Sequence, residues 1–203
     1  MSDSSGPDSP PSALLERAVA GDAEAFAEIY RRYHQVVYRF GCAMTGSEPA
    51  AEDITQEAFV AVFRDLARYD PARASFTTYL YGIVRNLSRE RLRRERRFLS
   101  LDVLGPRCEA ASYTPDPSGA MADAELAAQV RRALGRLPAR YRELIVLCDL
   151  HGLSYADSAV VVNISISAVR SRLHRGRQIL RRQLTRVASP EVRRTGHPER
   201  CAI

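Results

Sequence analysis

The sequence contains no lysine; all 30 positions counted as Lys+Arg are arginine. A GC-rich genome produces the same bias, so the placement of the arginines carries more than their number. No apolar run approaches the ~20 residues a helix needs to cross a bilayer, and no membrane insertion is expected. Residues 1–11 are acidic and rich in Ser and Pro. They lack the basic start and apolar middle of a signal peptide, so a cytoplasmic location is expected. Cys42, Cys108, Cys148 and Cys201 are scattered, without a Cys-x-x-Cys pair. In a reducing compartment they read as free thiols. Cys148 with His151, and His197 with Cys201, are the nearest approach to a metal-ligand pair, and no metal is expected. A phosphate-binding Gly loop and a nucleophile–base pair are also missing, which argues against an enzyme and against a cofactor. No segment alternates convincingly as a strand, the short run of residues 160–162 being ambiguous.

What remains is a helical, basic chain. The net charge of +6 and pI of about 9.4 favour a polyanionic partner. In residues 22–44 the apolar side chains Phe26, Ile29, Tyr30, Tyr33, Val37, Phe40 and Met44 recur at steps of three and four, one face of a helix. Asp22 is placed to cap its start and Gly46 to end it. A second helix over residues 49–69 turns Ile54, Ala58, Phe59, Val62, Phe63 and Leu66 inward, and Asp70-Pro71 breaks it. Ser75 caps a third helix that buries Phe76, Leu80, Ile83, Val84 and Leu87 before becoming Arg-rich. Periodicity fails over residues 98–120, where Gly105-Pro106, Pro115, Pro117 and Gly119 mark a flexible linker. A second helical block spans residues 121–187, and the polar tail 188–203, like residues 1–11, reads as disordered. The expected fold is all-α: two small helical domains, residues 12–97 and 121–187, on a tether.

The second block carries a helix-turn-helix. Gly152 ends one helix, Ser154-Tyr155-Ala156-Asp157 opens the next as a capping box, and Asn163 sits at a turn position that favours positive φ. Ala159 supplies the small side chain that two crossing helices need. Ser158, if buried, can bond back to the Ser154 carbonyl. Ser165 caps a helix with Val169 and Leu173 inward. Its outward side bears Ser167, Arg170, Ser171, Arg172, His174, Arg175 and Arg177, and no carboxylate interrupts residues 165–186. Such a helix can enter a major groove, its arginines bonding guanine edges or phosphates. A solvated basic face is the plainer alternative.

The third helix of the first block differs. Tyr79, Tyr81, Arg85, Asn86 and Arg89 follow the loop from Tyr69 through Arg73 to Ser75. Rings beside guanidinium groups suit single-stranded DNA, on which bases stack while phosphates are held. The competing view makes the tyrosines core or boundary residues, and Tyr79 and Tyr81 taken singly favour it. Glu52, Asp53, Gln56 and Glu57 form an acidic face on the middle helix. That face is either solvated or a docking surface for a basic protein.

At the level of whole motifs the chain resembles the extracytoplasmic-function (ECF) sigma factors of bacterial RNA polymerase. The telling pieces in the first block are Ala51-Glu52-Asp53-Ile54-Thr55-Gln56-Glu57-Ala58-Phe59 and Phe76-Thr77-Thr78-Tyr79-Leu80-Tyr81-Gly82-Ile83-Val84-Arg85-Asn86. In the second they are Leu137-Pro138-Ala139-Arg140-Tyr141-Arg142-Glu143, Gly152-Leu153-Ser154-Tyr155 and Ala168-Val169-Arg170-Ser171-Arg172-Leu173-His174-Arg175-Gly176-Arg177. Ser158 stands where that family usually has Ile, and Asn163 where it usually has Gly. The resemblance implies that Asp53, Gln56, Glu57 and Phe59 dock on the beta-prime coiled coil of core polymerase, with the beta flap as a second contact. Tyr69, Arg73, Ser75, Tyr79, Arg85, Asn86 and Arg89 would read the minus-ten element of promoter DNA and hold an extruded base. Ser165, Ser167, Arg170, Ser171, Arg172, His174 and Arg175 would read the minus-thirty-five duplex. It also implies an anti-sigma partner. A stand-alone helix-turn-helix regulator is the alternative function, and a thiol-based redox or metal sensor a third.

Overall fold

A computed structural model describes residues 10–99 and 121–188. Eight α-helices follow in order: α1 (Ser12–Val19), α2 (Ala23–Thr45), α3 (Glu48–Asp65), α4 (Phe76–Leu99), α5 (Met121–Gly135), α6 (Ala139–Ile145), α7 (Tyr155–Val162) and α8 (Ile166–Ala188). A 3-10 turn (Leu66–Arg68) extends α3, and a π-helical turn (Val146–Leu150) extends α6. No strand occurs among the described residues. The proposed linker and disordered ends lie almost wholly outside them, apart from Pro10 and Pro11 ahead of α1, residues 98–99 within α4 and residue 188 within α8.

Local chemistry sets the ends of α2. The Asp22 carboxylate accepts the backbone N–H groups of Glu24 (2.9 Å) and Ala25 (3.2 Å), satisfying donors the first turn leaves open. Arg17 bonds the same carboxylate at 2.8 Å and holds its pKa below the usual range. Gly46, at φ 74°, closes the helix in the left-handed conformation. Between them Ile29, Tyr33, Val37, Phe40 and Met44 are fully buried. The helices α2 and α3 cross where Gly41 meets Ala51. A Cβ on Gly41 would lie 3.1 Å from the Ala51 Cβ and 3.2 Å from its Cα, so the crossing needs a bare backbone.

Helix α3 packs Ile54, Ala58, Phe59 and Val62 inward, but Phe63 is 62% exposed. One residue beyond Val62, it is rotated to the edge of the apolar stripe, where its ring meets Phe26 edge-on at 5.1 Å. Ser75 caps α4 as expected, its Oγ accepting the Thr78 N–H at 3.2 Å. Phe76, Leu80 and Val84 complete the first core, while Ile83 and Leu87 are half-buried against it.

In the second module α6 and α8 cross at Gly176, where an added Cβ would lie 3.1 Å from Ile145 and 3.2 Å from Tyr141. The Ser154 Oγ accepts the Asp157 N–H at 3.0 Å. Asn163 adopts φ 56°, ψ 56°, and the Ser165 Oγ accepts the Ala168 N–H at 3.2 Å. Ser158 is fully buried. Its Oγ lies 3.2 Å from the Cys148 Sγ, so the thiol is the partner rather than the Ser154 carbonyl.

The modules do not stand apart. Arg142, buried on α6, donates to the carbonyls of Gly135 (2.5 Å) and Leu137 (3.0 Å) in its own module and to that of Met44 at the end of α2. One cation thus serves the negative ends of two helices. Along the same seam the Tyr81 hydroxyl lies 2.7 Å from the His151 Nδ1, and α4 packs against α7.

Candidate nucleic-acid interface

Three surfaces collect the residues singled out in the sequence. The first is α8. With Val169 and Leu173 buried, Ser165, Ser167, Arg170, Ser171, His174 and Arg175 are exposed on the opposite side and Arg172 is half-buried. Arg177 is not free: its guanidinium makes a two-pronged pair with Asp149, at 3.0 and 2.5 Å, that raises its pKa. Its neighbours carry the basic face without it.

The second surface is a cleft of about 740 Å³. Tyr69, Arg73, Tyr79, Arg85 and Asn86 line it, whereas Ser75 and Arg89 do not. Ser75 instead orders the corner where the loop enters α4, and Arg89 reaches Glu143 at 3.6 Å. The loop is held by its own side chains. Tyr69 donates its hydroxyl to the Ala74 carbonyl at 3.1 Å, and Asp70 accepts the Ala72 N–H at 2.9 Å. The Tyr69 ring meets those of Tyr79 (5.3 Å) and Phe76 (5.5 Å), and burial raises both tyrosine pKa values. Tyr81 belongs elsewhere. It is 2% exposed, packing on Phe40 of its own module and facing His151 across the seam, as a boundary residue.

The third surface is on α3, where Glu52, Asp53, Gln56 and Glu57 are all exposed. Asp53 pairs with Arg91 of α4 at 3.3 Å. Phe59 does not share this face. It is 4% exposed, with its ring against Tyr30 at 4.7 Å, because it lies on the inward stripe with Ala58 and Val62. The apolar side chains that do flank the carboxylates are Val60 and Phe63, 67% and 62% exposed.

Sequence reasoning missed a fourth group: Arg142, Glu143, His151 and Asp157, which reach across the seam. Glu143 is 1% exposed, and its Oε2 accepts from the Arg85 Nε at 3.0 Å. Asp157 accepts from the Thr78 hydroxyl at 3.3 Å. The available signal was the run Arg142-Glu143 at steps where α6 is otherwise apolar; a charged pair inside a buried stripe demands partners. Among the described residues no cluster of His, Cys, Asp and Glu could hold a metal ion, and no helix is long and apolar enough to cross a membrane.

Two families match the chain in order along it: Sigma-70 region 2 over residues 29–98 and Sigma-70, region 4 over residues 127–180. The chain is 35% identical over 162 residues to the ECF RNA polymerase sigma factor SigE of Mycolicibacterium smegmatis, covering 80% of this chain and 62% of that protein's length. It is 32% identical over 177 residues to the ECF RNA polymerase sigma factor SigW of Bacillus subtilis, covering 84% and 94%. The solved structure of CnrH in complex with the cytosolic domain of CnrY superposes with a TM-score of 0.64 at 26% identity, covering 85% of this chain and 96% of that one. The sigma factor RpoE of Bartonella quintana shares the fold, with a TM-score of 0.69 at 22% identity over 80% of this chain and 98% of that one. Helical composition, module order and both matches define a sigma-70-type protein, and within that class the chain belongs to the ECF sigma factors.

Proposed function

We propose that this chain is an alternative sigma factor that binds core RNA polymerase, directs it to particular promoters and promotes initiation there. What carries this reading is the presence on one chain, in order, of the region 2 and region 4 matches. Residues 12–97 act as region two, 98–120 as the connecting linker and 121–187 as region four. Asp53, Gln56 and Glu57 dock on the beta-prime coiled coil, with Phe59 supporting the face from beneath and Val60 and Phe63 adding apolar contact. Region four engages the beta flap.

At the minus-ten element Tyr69 and Tyr79 supply stacking surface, while Arg73, Arg85 and Arg89 hold phosphates and the Asn86 amide reads a base edge. Extruding a base costs a few kcal/mol, which a preformed cleft and polymerase contacts offset. Ser75 contributes by ordering the corner ahead of α4. At the minus-thirty-five element Ser165, Ser167, Arg170, Ser171, Arg172, His174 and Arg175 face intact duplex. The chain catalyses no reaction of its own, needs no cofactor and works in the cytoplasm. The CnrH structure holds the cytosolic domain of CnrY, and the RpoE structure the anti-sigma factor NepR. These support a protein inhibitor of that class as a further partner.

Run-off transcription with core polymerase over a library of promoter variants tests the whole reading. Start sites that depend on the chain and on two separated sequence elements are expected. A dimer that binds an operator and confers no polymerase-dependent start site overturns it, and is the result a stand-alone helix-turn-helix regulator gives.

A further inference from the structure

We infer that the minus-thirty-five surface extends from α8 onto α6, where Arg140 and Arg175 form a seat for one DNA phosphate and Tyr141 positions them. The inference rests on the reading of α8 as the duplex-facing helix, and it adds Arg140 and Tyr141 to that surface. Tyr141 is fixed by the helix crossing. A Cβ built on Gly176 would stand 3.2 Å from the Tyr141 Cβ and 3.1 Å from the Ile145 side chain, so α8 closes directly onto the tyrosine. The residue is 8% exposed, yet its hydroxyl emerges beside two arginines. Arg140 and then Arg175 hydrogen-bond that oxygen and hold its pKa below the ordinary phenol value, against the opposing effect of burial. The Arg140 guanidinium also stands over the ring, its Cζ 4.8 Å from the centroid, a cation–π contact. One buried ring thus sets the place of two exposed cations.

The kind of acceptor decides what these cations can do. Arg177, two residues along α8, is paired with the Asp149 carboxylate, which neutralises it. A phenol orders a guanidinium group without neutralising it. Each guanidinium carries five N–H donors, and a bond to the hydroxyl leaves the others for a ligand. A side chain already held in place also loses less rotamer freedom on binding. Among the described residues no carboxylate pairs with Arg140 or Arg175, and none acts on the hydroxyl they share. Two like charges gathered about one neutral oxygen repel each other in the free protein. An oxyanion between them relieves that repulsion and takes charge-assisted hydrogen bonds from both. Beside a duplex-facing helix, the anion at hand is a backbone phosphate.

The test uses the full chain and a short, fluorescein-labelled duplex of mixed sequence, read by anisotropy over a salt series. Arg140→Ala is expected to weaken binding by about ten-fold, the worth of a hydrogen bond to a charged group. It should also reduce the slope of log affinity against log salt by about one, as the loss of one phosphate contact does. Arg140→Lys returns the charge and is expected to restore that slope. Tyr141→Phe keeps the buried ring and removes only the hydroxyl. Binding should weaken by about two- to ten-fold, the worth of one neutral hydrogen bond, with the salt slope unchanged because both cations remain. Arg140 is exposed, so its variants stay informative if Tyr141→Phe does not fold. Arg170→Ala, on α8 but not among the groups at the Tyr141 hydroxyl, separates the two possible failures. If Arg170→Ala weakens binding while Arg140→Ala or Tyr141→Phe binds as wild type does, the seat on α6 is overturned and the α8 reading stands. If all three bind as wild type does, the α8 reading is overturned and the seat with it.

Discussion

His151 shows how one side chain can tie the seam to pH. It faces Tyr81 from α4 and Phe40 from α2, and burial first, then the nearby Arg39, lowers its pKa from 6.5 to about 4. Opening the seam returns the imidazole to water and its ordinary pKa. The open form therefore binds more protons than the closed one between those two values. Closure is undiminished above pH 6.5 and weakens as pH falls towards 4, by up to about 3 kcal/mol. Small-angle scattering across that window should show the chain expanding, and His151→Phe should make compactness independent of pH there. Steady compactness in the wild type would refute the coupling. On α8 the predictions are simpler because the side chains are exposed. Arg170→Ala or Arg175→Ala should weaken binding to a minus-thirty-five duplex by about 1–3 kcal/mol if a guanine contact is lost, and should leave the melting temperature nearly unchanged. Equal affinity and selectivity in both variants would remove α8 from recognition.

For a helix, the decisive question is what each face has room for, and the glycines of α2 and α4 answer it with opposite signs. Gly41→Ala drives a methyl group against the Ala51 backbone of α3, an overpacking that costs about 1–3 kcal/mol against a helix-propensity gain of about 0.5–1 kcal/mol. A net loss of stability is expected. Gly82→Ala meets nothing within 4 Å and should gain about 0.5–1 kcal/mol. Thermal melts of the two variants should move in opposite directions, and parallel shifts would contradict the crossing geometry. Helix boundaries of this kind were legible in the chain because they are local: Asp22, Gly46, Ser75, Ser154, Asn163 and Ser165 each act on backbone groups within a few residues. Inward faces were legible for the same reason, up to their edges. Phe63 escaped because a stripe wider than its neighbours can cover leaves its margin exposed, whereas Phe59, turned inward by its periodicity, lies in the core, and only the family resemblance assigned it to the acidic face.

Across the whole molecule, no periodicity reports which helix of one module meets which helix of the other. Glu143 and Arg85 are 58 residues apart, so their pairing is written only in the misfit of charges within a buried stripe. The segregation of charge, by contrast, could be read directly: carboxylates on α3, arginines on α4 and α8, under a net charge of +6. That segregation gives a prediction whose two arms have opposite signs. Replacing Asp53 and Glu57 together by Arg removes the acidic docking face and adds positive charge to an already basic protein. The one ion pair lost among the described residues, Asp53 with Arg91, is exposed on both sides and is worth roughly 0–1 kcal/mol, so folding should survive. Affinity for core polymerase should fall by about ten-fold or more, as expected when like charges replace a complementary pair at an interface. Nonspecific duplex binding should hold or rise, because the added cations favour phosphate contacts. Misfolding would lower both affinities, and a merely solvated face would leave polymerase binding intact; only loss of polymerase with retention of DNA supports α3 as the docking surface.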